Sequence, residues 1–147
     1  MATPPFVPQG TLNRVRCSVV IPGFPNLNIT SPYMGKSFAR IQFQGSYAEL
    51  IGTATGGVQS PEPYVMANIS IGLLRTQSLA AAWQAQALTN TNIGGISVYS
   101  DSAAFPTLSF DNSIINDIDP GAFDGTDPVV RLTLKGIYYI NSDMWNL

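Results

Sequence analysis

Apolar and polar residues alternate most regularly from Tyr64 to Leu74. Val65, Ala67, Ile69, Ile71 and Leu73 fall on one side, with Tyr64, Met66, Asn68, Ser70 and Gly72 on the other. A period of two marks a strand buried on one face. The first set is expected to face the core, and the length predicts a central strand that can extend beyond its own domain. A second long alternation runs from Val129 to Ile140, where Val130, Leu132, Leu134 and Gly136 oppose Val129, Arg131, Thr133 and Lys135. Arg14–Ile21 reads as a strand with Val15, Cys17 and Val19 on one face, ended by Pro22-Gly23. Residues 28–31 suggest a short strand stopped by Pro32. Residues 38–43 suggest another, of ambiguous facing.

The period changes after Leu74. Residues 75–88 predict the one helix, because the alanine-rich stretch costs little side-chain entropy to order. Thr76 or Ser78 is positioned to cap it. Leu79, Ala82, Trp83 and Gln86 form a stripe that Leu88 roughly extends, and Trp83 is expected to anchor the core. Ile96–Ser100 predicts a short strand after Gly94-Gly95. Leu108–Asp117 predicts another, broken or bulged near Asp111-Asn112.

Gly45–Pro63 fits no single period. Glycines and prolines surround a weak apolar stretch, and the only charges are Glu49 and Glu62. Two strands joined at Thr55-Gly56-Gly57 or one long exposed loop both fit it. A segment of this size in a compact domain often carries function. Residues 1–10 hold three prolines and no charge and are expected to form an extended arm. Residues 11–147 are expected to form a single domain. The fold class is mainly β: an antiparallel barrel or sandwich with one flanking helix and a long glycine-rich loop or hairpin.

Composition narrows the function. Only 11% of residues are charged against 45% apolar, where soluble domains average about 25% charged. Two readings fit: partners cover much of the surface, or Asn, Ser, Thr and Gln keep it polar. A net charge of −2, with seven cations spread along the chain, supplies no basic patch for tight nucleic-acid binding. The N-terminus lacks the basic-then-apolar pattern of a secretion signal, so the Asn28-Ile29-Thr30 and Asn68-Ile69-Ser70 glycosylation patterns read as chance matches. No apolar run approaches a bilayer span, so no membrane anchor is expected.

The chain has no histidine and one cysteine. That removes histidine-based triads, histidine metal sites, thiolate zinc sites and an internal disulfide. Cys17 is expected as a buried, reduced thiol. Residues 52–57 lack the lysine of a phosphate loop. Asp117, Asp119, Asp124 and Asp127 could offer oxygen ligands to calcium, but they do not follow the calcium-loop pattern. Turns capped by backbone amides are the better reading. Lys36, Arg40 and Arg75 are candidate partner-binding cations, although solvation of strand or helix edges explains them equally. Tyr138, Tyr139 and Trp145 are candidate interface anchors, or a C-terminus folded back over the barrel. No catalytic, cofactor or metal residue is assigned, no cofactor is expected, and the chain is read as non-enzymatic.

The order of elements carries a resemblance. PYVMANISIGLLRTQSLAAAWQAQAL and DPVVRLTLKGIYYIN, with the Arg14–Ile21 strand and the glycine-rich Gly45–Pro63 segment, resemble the tail tube proteins of contractile-tailed bacteriophages over most of residues 12–141. The resemblance implies a β-barrel or sandwich flanked by a helix. It implies homohexameric rings stacked into a tube inside a tail sheath, with a baseplate and a tail terminator at the ends. DNA passes transiently and non-specifically through the lumen of such tubes, and they belong to the virion tail assembled in the host cytoplasm. Carried onto this chain, Tyr64–Leu74 and Val129–Ile140 would be barrel strands. Gly45–Pro63 would be the stacking loop, helped by the 1–10 arm. A mildly acidic lumen, with Asp117–Asp127 contributing, would keep DNA from sticking. A terminator, connector or baseplate ring shares this physics. A carbohydrate-binding or adhesin-like module, with Tyr and Trp beside Asp and Asn, is the reading from a different class.

Overall fold

A computed structural model describes residues 17–100, 105–121 and 124–144. The arm at 1–10 and Trp145 lie outside them, as do residues 14–16 of the first expected strand. Eight strands and one helix follow in order: β1 (Cys17–Val20), β2 (Met34–Gln44), β3 (Ala48–Gly52), β4 (Gly57–Pro61), β5 (Tyr64–Leu74), α1 (Ser78–Thr89), β6 (Asn92–Ser100), β7 (Leu108–Asp119) and β8 (Val129–Tyr139). Short 3-10 turns at Pro25–Leu27 and Ser31–Tyr33 connect β1 to β2. No helix among the described residues is long and apolar enough to cross a membrane.

Six strands form one antiparallel sheet in the order β1-β6-β7-β8-β5-β2, and β3 pairs only with β4. The sheet curls into a half-barrel. Its two terminal strands, β1 and β2, touch, and the Ala39 amide bonds the Cys17 sulfur across the gap. The fold is therefore the mainly-β barrel or sandwich with one helix that the patterns predict.

The inner face follows the alternation. Val65, Ala67, Ile69, Ile71 and Leu73 of β5 are buried, as are Val130, Leu132 and Leu134 of β8. β5 pairs with β8 over all eleven of its residues, from Tyr64↔Tyr139 to Leu74↔Val129. It is a central strand, but its bonds are satisfied within its own sheet and it does not reach beyond it. Helix α1 lies against this face through Leu79, Ala80 and Trp83, with Trp83 fully buried. Burying so large an aromatic contributes several kcal/mol, about 3–5 by the cost of truncating one.

Several expectations need correction. Helix α1 starts three residues later than predicted. Its cap is Gln77, with no side-chain bond, so neither Thr76 nor Ser78 fills that role. Leu88 does not extend the buried stripe; it is 84% exposed. Ala82 packs partly buried against the core as expected, and Ala80 joins the buried stripe beside Leu79 and Trp83. Residues 28–31 do not form a strand. Ile29 makes one isolated bridge to Val19, with both backbone bonds at 2.8 Å. That bridge covers the outer edge of β1, which would otherwise be open to foreign pairing. Cys17 is half-buried rather than buried. β2 is longer than predicted, and its facing is now fixed: Ala39, Ile41 and Phe43 pack against the core.

The bulge expected in β7 is present. Asn112 has φ 49°, a left-handed conformation that asparagine tolerates. Register with β8 shifts between Asp111 and Ile114 and again between Ile115 and Asp117. The first shift turns both Phe110 and Ser113 inward over Gly136. A Cβ on Gly136 would lie 2.7 Å from the Ser113 Oγ and 2.8 Å from the Phe110 Cβ. Only glycine leaves room for that double entry.

Candidate interaction surface

β3 and β4 form a hairpin that leaves the body of the protein. Its register runs from Ala48↔Pro61 to Gly52↔Gly57. The turn closes with a bond from the Thr53 amide to the Gly56 carbonyl at 2.8 Å. Of the two readings of the glycine-rich segment, the strand pair is the one realised. Every residue from Ala48 to Gln59 is exposed.

Side chains alternate across the hairpin as across any strand pair. Leu50 lies on one face with Ala48, Gln59 and Pro61, and it overhangs Gly57. Ile51 and Val58 form a cross-strand pair on the other, with Glu49 and Ser60. Both faces thus present aliphatic groups to water. Leu50 is 74% exposed, and Ile51 and Val58 are each more than half exposed. No residue from 50 to 61 is charged.

The root of the hairpin is built, not loose. Gly45 at φ 91° turns the chain out of β2, a conformation that costs glycine nothing. Asn141, at φ 53°, donates its side-chain amide to the Tyr47 carbonyl at 3.1 Å and to the Glu62 carbonyl at 2.7 Å. The Glu62 amide bonds the Tyr47 carbonyl at 3.0 Å. Phe43 meets Tyr47 edge-on at 6.1 Å and packs on Tyr138 at 5.1 Å and Phe110 at 6.4 Å. An aromatic cluster and a bidentate amide therefore fix where the hairpin points. Sequence reading misses Asn141, because its partners are 79 and 94 residues away.

The apolar surface continues from the root onto the sheet. Tyr64 and Tyr139 pair across β5 and β8, with Met66 next along β5. With Tyr47, Leu50, Ile51 and Val58 they make seven large side chains that are each 40% or more exposed. At roughly 200 Å² for a large side chain, they leave on the order of 700 Å² open to water. The largest patch on an ordinary monomer is about 300–600 Å², and a standard interface takes about 800 Å² from each partner. Because Leu50 lies on the opposite hairpin face from Ile51 and Val58, this total is divided between two faces and the adjoining sheet rather than gathered in one patch.

The other candidates are distributed differently. Arg75 is not a free cation: its guanidinium donates to the Pro120 carbonyl, and its amide bonds the Pro128 carbonyl at 2.7 Å, tying the start of α1 to the β7–β8 loop. Arg40 is exposed on the outer face of β2, and Lys36 lies earlier in that strand. Tyr138 belongs to the aromatic cluster, while Tyr139 is exposed. The acidic residues form successive turns. Asp119, Asp124 and Asp127 accept the amides of Gly121, Thr126 and Val129 at 2.9, 3.0 and 3.1 Å. The Thr126 amide, then its hydroxyl, hold the Asp124 carboxyl below the ordinary range. Among the described residues, no group of three metal-ligating side chains comes together.

The middle of the outer face of the sheet, opposite α1, is mainly polar, with Tyr64, Met66 and Tyr139 toward its hairpin end. Arg40, Ser70, Thr133 and Asp117 form one cross-strand row, and Gln42, Asn68, Lys135 and Ile114 the next. Compared with known protein families and with curated proteins, the chain matches none.

Proposed function

We propose that this chain is a structural subunit of a phage tail tube, forming hexameric rings that stack so that a central channel can conduct DNA. The observation that carries the reading is the rigidly rooted hairpin, charged only at Glu49, with bare aliphatic groups on both faces. An isolated hairpin is marginal in water, and one that is apolar on both faces gains most when other molecules cover it. Two further features support the reading. β2 is the last strand of the sheet, and from Ile41 to Gln44 no described strand lies along its outer edge; an edge of this kind suits lateral pairing within a ring. The helix packs on one face of the sheet only, which leaves a second face free to line a channel.

That second face carries Arg40, Arg131 and Lys135 against Asp111, Asp117 and Asp119. A channel built from it would be near neutral rather than acidic. It would release DNA because it lacks the net positive charge that holds phosphates, with no need for repulsion. Asp124 and Asp127 lie in the β7–β8 turn and not on these strands, so they would stand at the rim.

The sheath, baseplate and terminator remain the partners this role implies, and no catalytic role is assigned. The carbohydrate-binding reading is weaker: the groove beside α1 has no aromatic lining, and the exposed tyrosines stand on an open sheet. Negative-stain electron microscopy of the purified protein tests the proposal. Rings or uniform hollow rods are expected. A monomer that persists across a wide concentration range overturns it, and single rings that never stack favour a terminator or connector.

A further inference from the structure

Most of the molecule is held by packing. Even the groove beside Leu88, left where β6 ends at Asn92, has walls set by Ala87, Ile115 and Ile118 of the core. The hairpin is held differently. β3 pairs only with β4, and every residue from Ala48 to Gln59 is exposed. No buried side chain orients it, so its direction rests on its root.

Three ties meet at the root. Tyr47, on the outgoing chain, meets Phe43 of the sheet edge-on at 6.1 Å. The Glu62 amide donates to the Tyr47 carbonyl at 3.0 Å, which joins the two root chains to each other but not to the sheet. Among the described residues, Asn141 alone hydrogen-bonds both root chains to the sheet. Its Nδ2 has two hydrogens to give, and it donates to the Tyr47 and Glu62 carbonyls at 3.1 and 2.7 Å. The preceding Ile140 amide donates to the Pro63 carbonyl at 3.1 Å, and the chain then turns away, closed by the Met144 amide on the Asn141 carbonyl at 2.9 Å. The Asn141 side chain thus carries the β5–β8 ladder two steps further than the backbone does.

Backbone conformation at both sides of the root fits this role. Asn141 sits at φ 53°, in the left-handed region that few non-glycine residues adopt and asparagine tolerates. Gly45 has φ 91°, and a Cβ there would meet nothing within 4 Å. Glycine is needed at that point for its backbone freedom and not for space, as a hinge requires. We propose that Asn141 is a latch on the hairpin. Bonded, it fixes one direction; released, the hairpin swings as a unit on its two root chains while the sheet stays folded. A latched hairpin meets any partner already ordered and loses less freedom on binding. The latch holds whatever the hairpin meets, so it does not rest on the tail tube reading.

Pulsed electron paramagnetic resonance tests the latch within one copy. Nitroxides at Leu50→Cys and Ser70→Cys, both exposed sites, are placed in the full chain with Cys17→Ser, below any concentration at which copies associate. One narrow distance distribution is expected. Asn141→Asp keeps a residue that tolerates this φ and removes both donors. Asn141→Gly keeps the φ and removes the side chain. Each should raise the released fraction roughly tenfold and broaden the distribution, with the thermal midpoint close to that of the parent. Tyr47→Leu keeps the carbonyl and removes the ring, and its distribution should stay narrow. If Asn141→Asp fails to fold, Asn141→Gly decides. A broad distribution in the parent, or a narrow one in both Asn141 variants, would overturn the latch. Broadening confined to Tyr47→Leu would overturn it too, by giving control to the ring. A large fall in the thermal midpoint of both Asn141 variants would overturn it by making Asn141 part of what holds the sheet.

Discussion

Two antiparallel strand pairs in this protein follow the same backbone rules and have opposite fates. β5 and β8 pair over eleven residues and bury every second side chain. β3 and β4 pair over five and bury none fully. The difference is the second layer. Helix α1 and the 3-10 turn at Pro25–Leu27 cover the inner face of the large sheet, and Trp83 and Leu27 are fully buried there. Among the described residues, nothing covers either face of the hairpin. A strand pair needs a cover for each apolar face, and where the chain supplies none, another molecule can.

The comparison can be broken from either side. The largest effect should come from the covered region. Trp83→Ala is expected to cost about 3–5 kcal/mol, read by urea or thermal unfolding. A loss below about 1 kcal/mol would mean that α1 does not hold the sheet. Gly136→Ala should come next, at about 1–3 kcal/mol, because the new methyl meets the Phe110 Cβ at 2.8 Å, close to the backbone of β7. Unchanged stability would show that the bulge at Asn112 yields easily.

The uncovered region should behave in the opposite way. Replacing residues 48–61 with a short glycine-serine link, while keeping Tyr47 and Glu62 for the Asn141 bonds, should change the stability of the body by no more than about 0.5 kcal/mol. The same change should abolish stacking in electron micrographs. Intact rods in that variant would remove the hairpin from the assembly.

The smallest effects are in titration. Burial pushes the Cys17 thiol above its ordinary pKa, and the Ala39 amide only partly offsets this. Its contribution is fully present below the unfolded thiol pKa and is lost as pH rises through the folded value. Alkylation near neutral pH should therefore be slow until the protein unfolds. Asp124 has the opposite sign: its carboxyl is held down by Thr126, so whatever it contributes is present above the ordinary carboxyl pKa and fades as pH falls through the folded value. An NMR titration should place its midpoint below that of free aspartate.

Much of the fold was legible because burial on one face leaves a local mark. The alternation at Tyr64–Leu74 gives β5 its bounds and its facing. Val130, Leu132 and Leu134 likewise announce the inner face of β8. The bulge near Asp111-Asn112 was visible as a break in the same period. The helix ends were less legible: α1 begins at Ser78 with no side-chain cap, so propensity alone placed its start too early. Leu88 looked like part of the stripe, since hydropathy records what a residue is and not what lies opposite it.

The candidate surface divides along the same line. The sequence by itself determined that residues 45–63 are short of charge, rich in glycine and able to form strands. It also determined that no histidine is present and that the single cysteine cannot form an internal disulfide. Only the tertiary structure decided that β3 and β4 pair with each other alone and that Asn141 ties down their root. It also decided that β6 ends early enough to leave a groove beside Leu88. The physical reason is range. Backbone conformation and one-sided burial depend on neighbours a few residues apart, whereas an uncovered surface is defined by what the rest of the chain fails to reach.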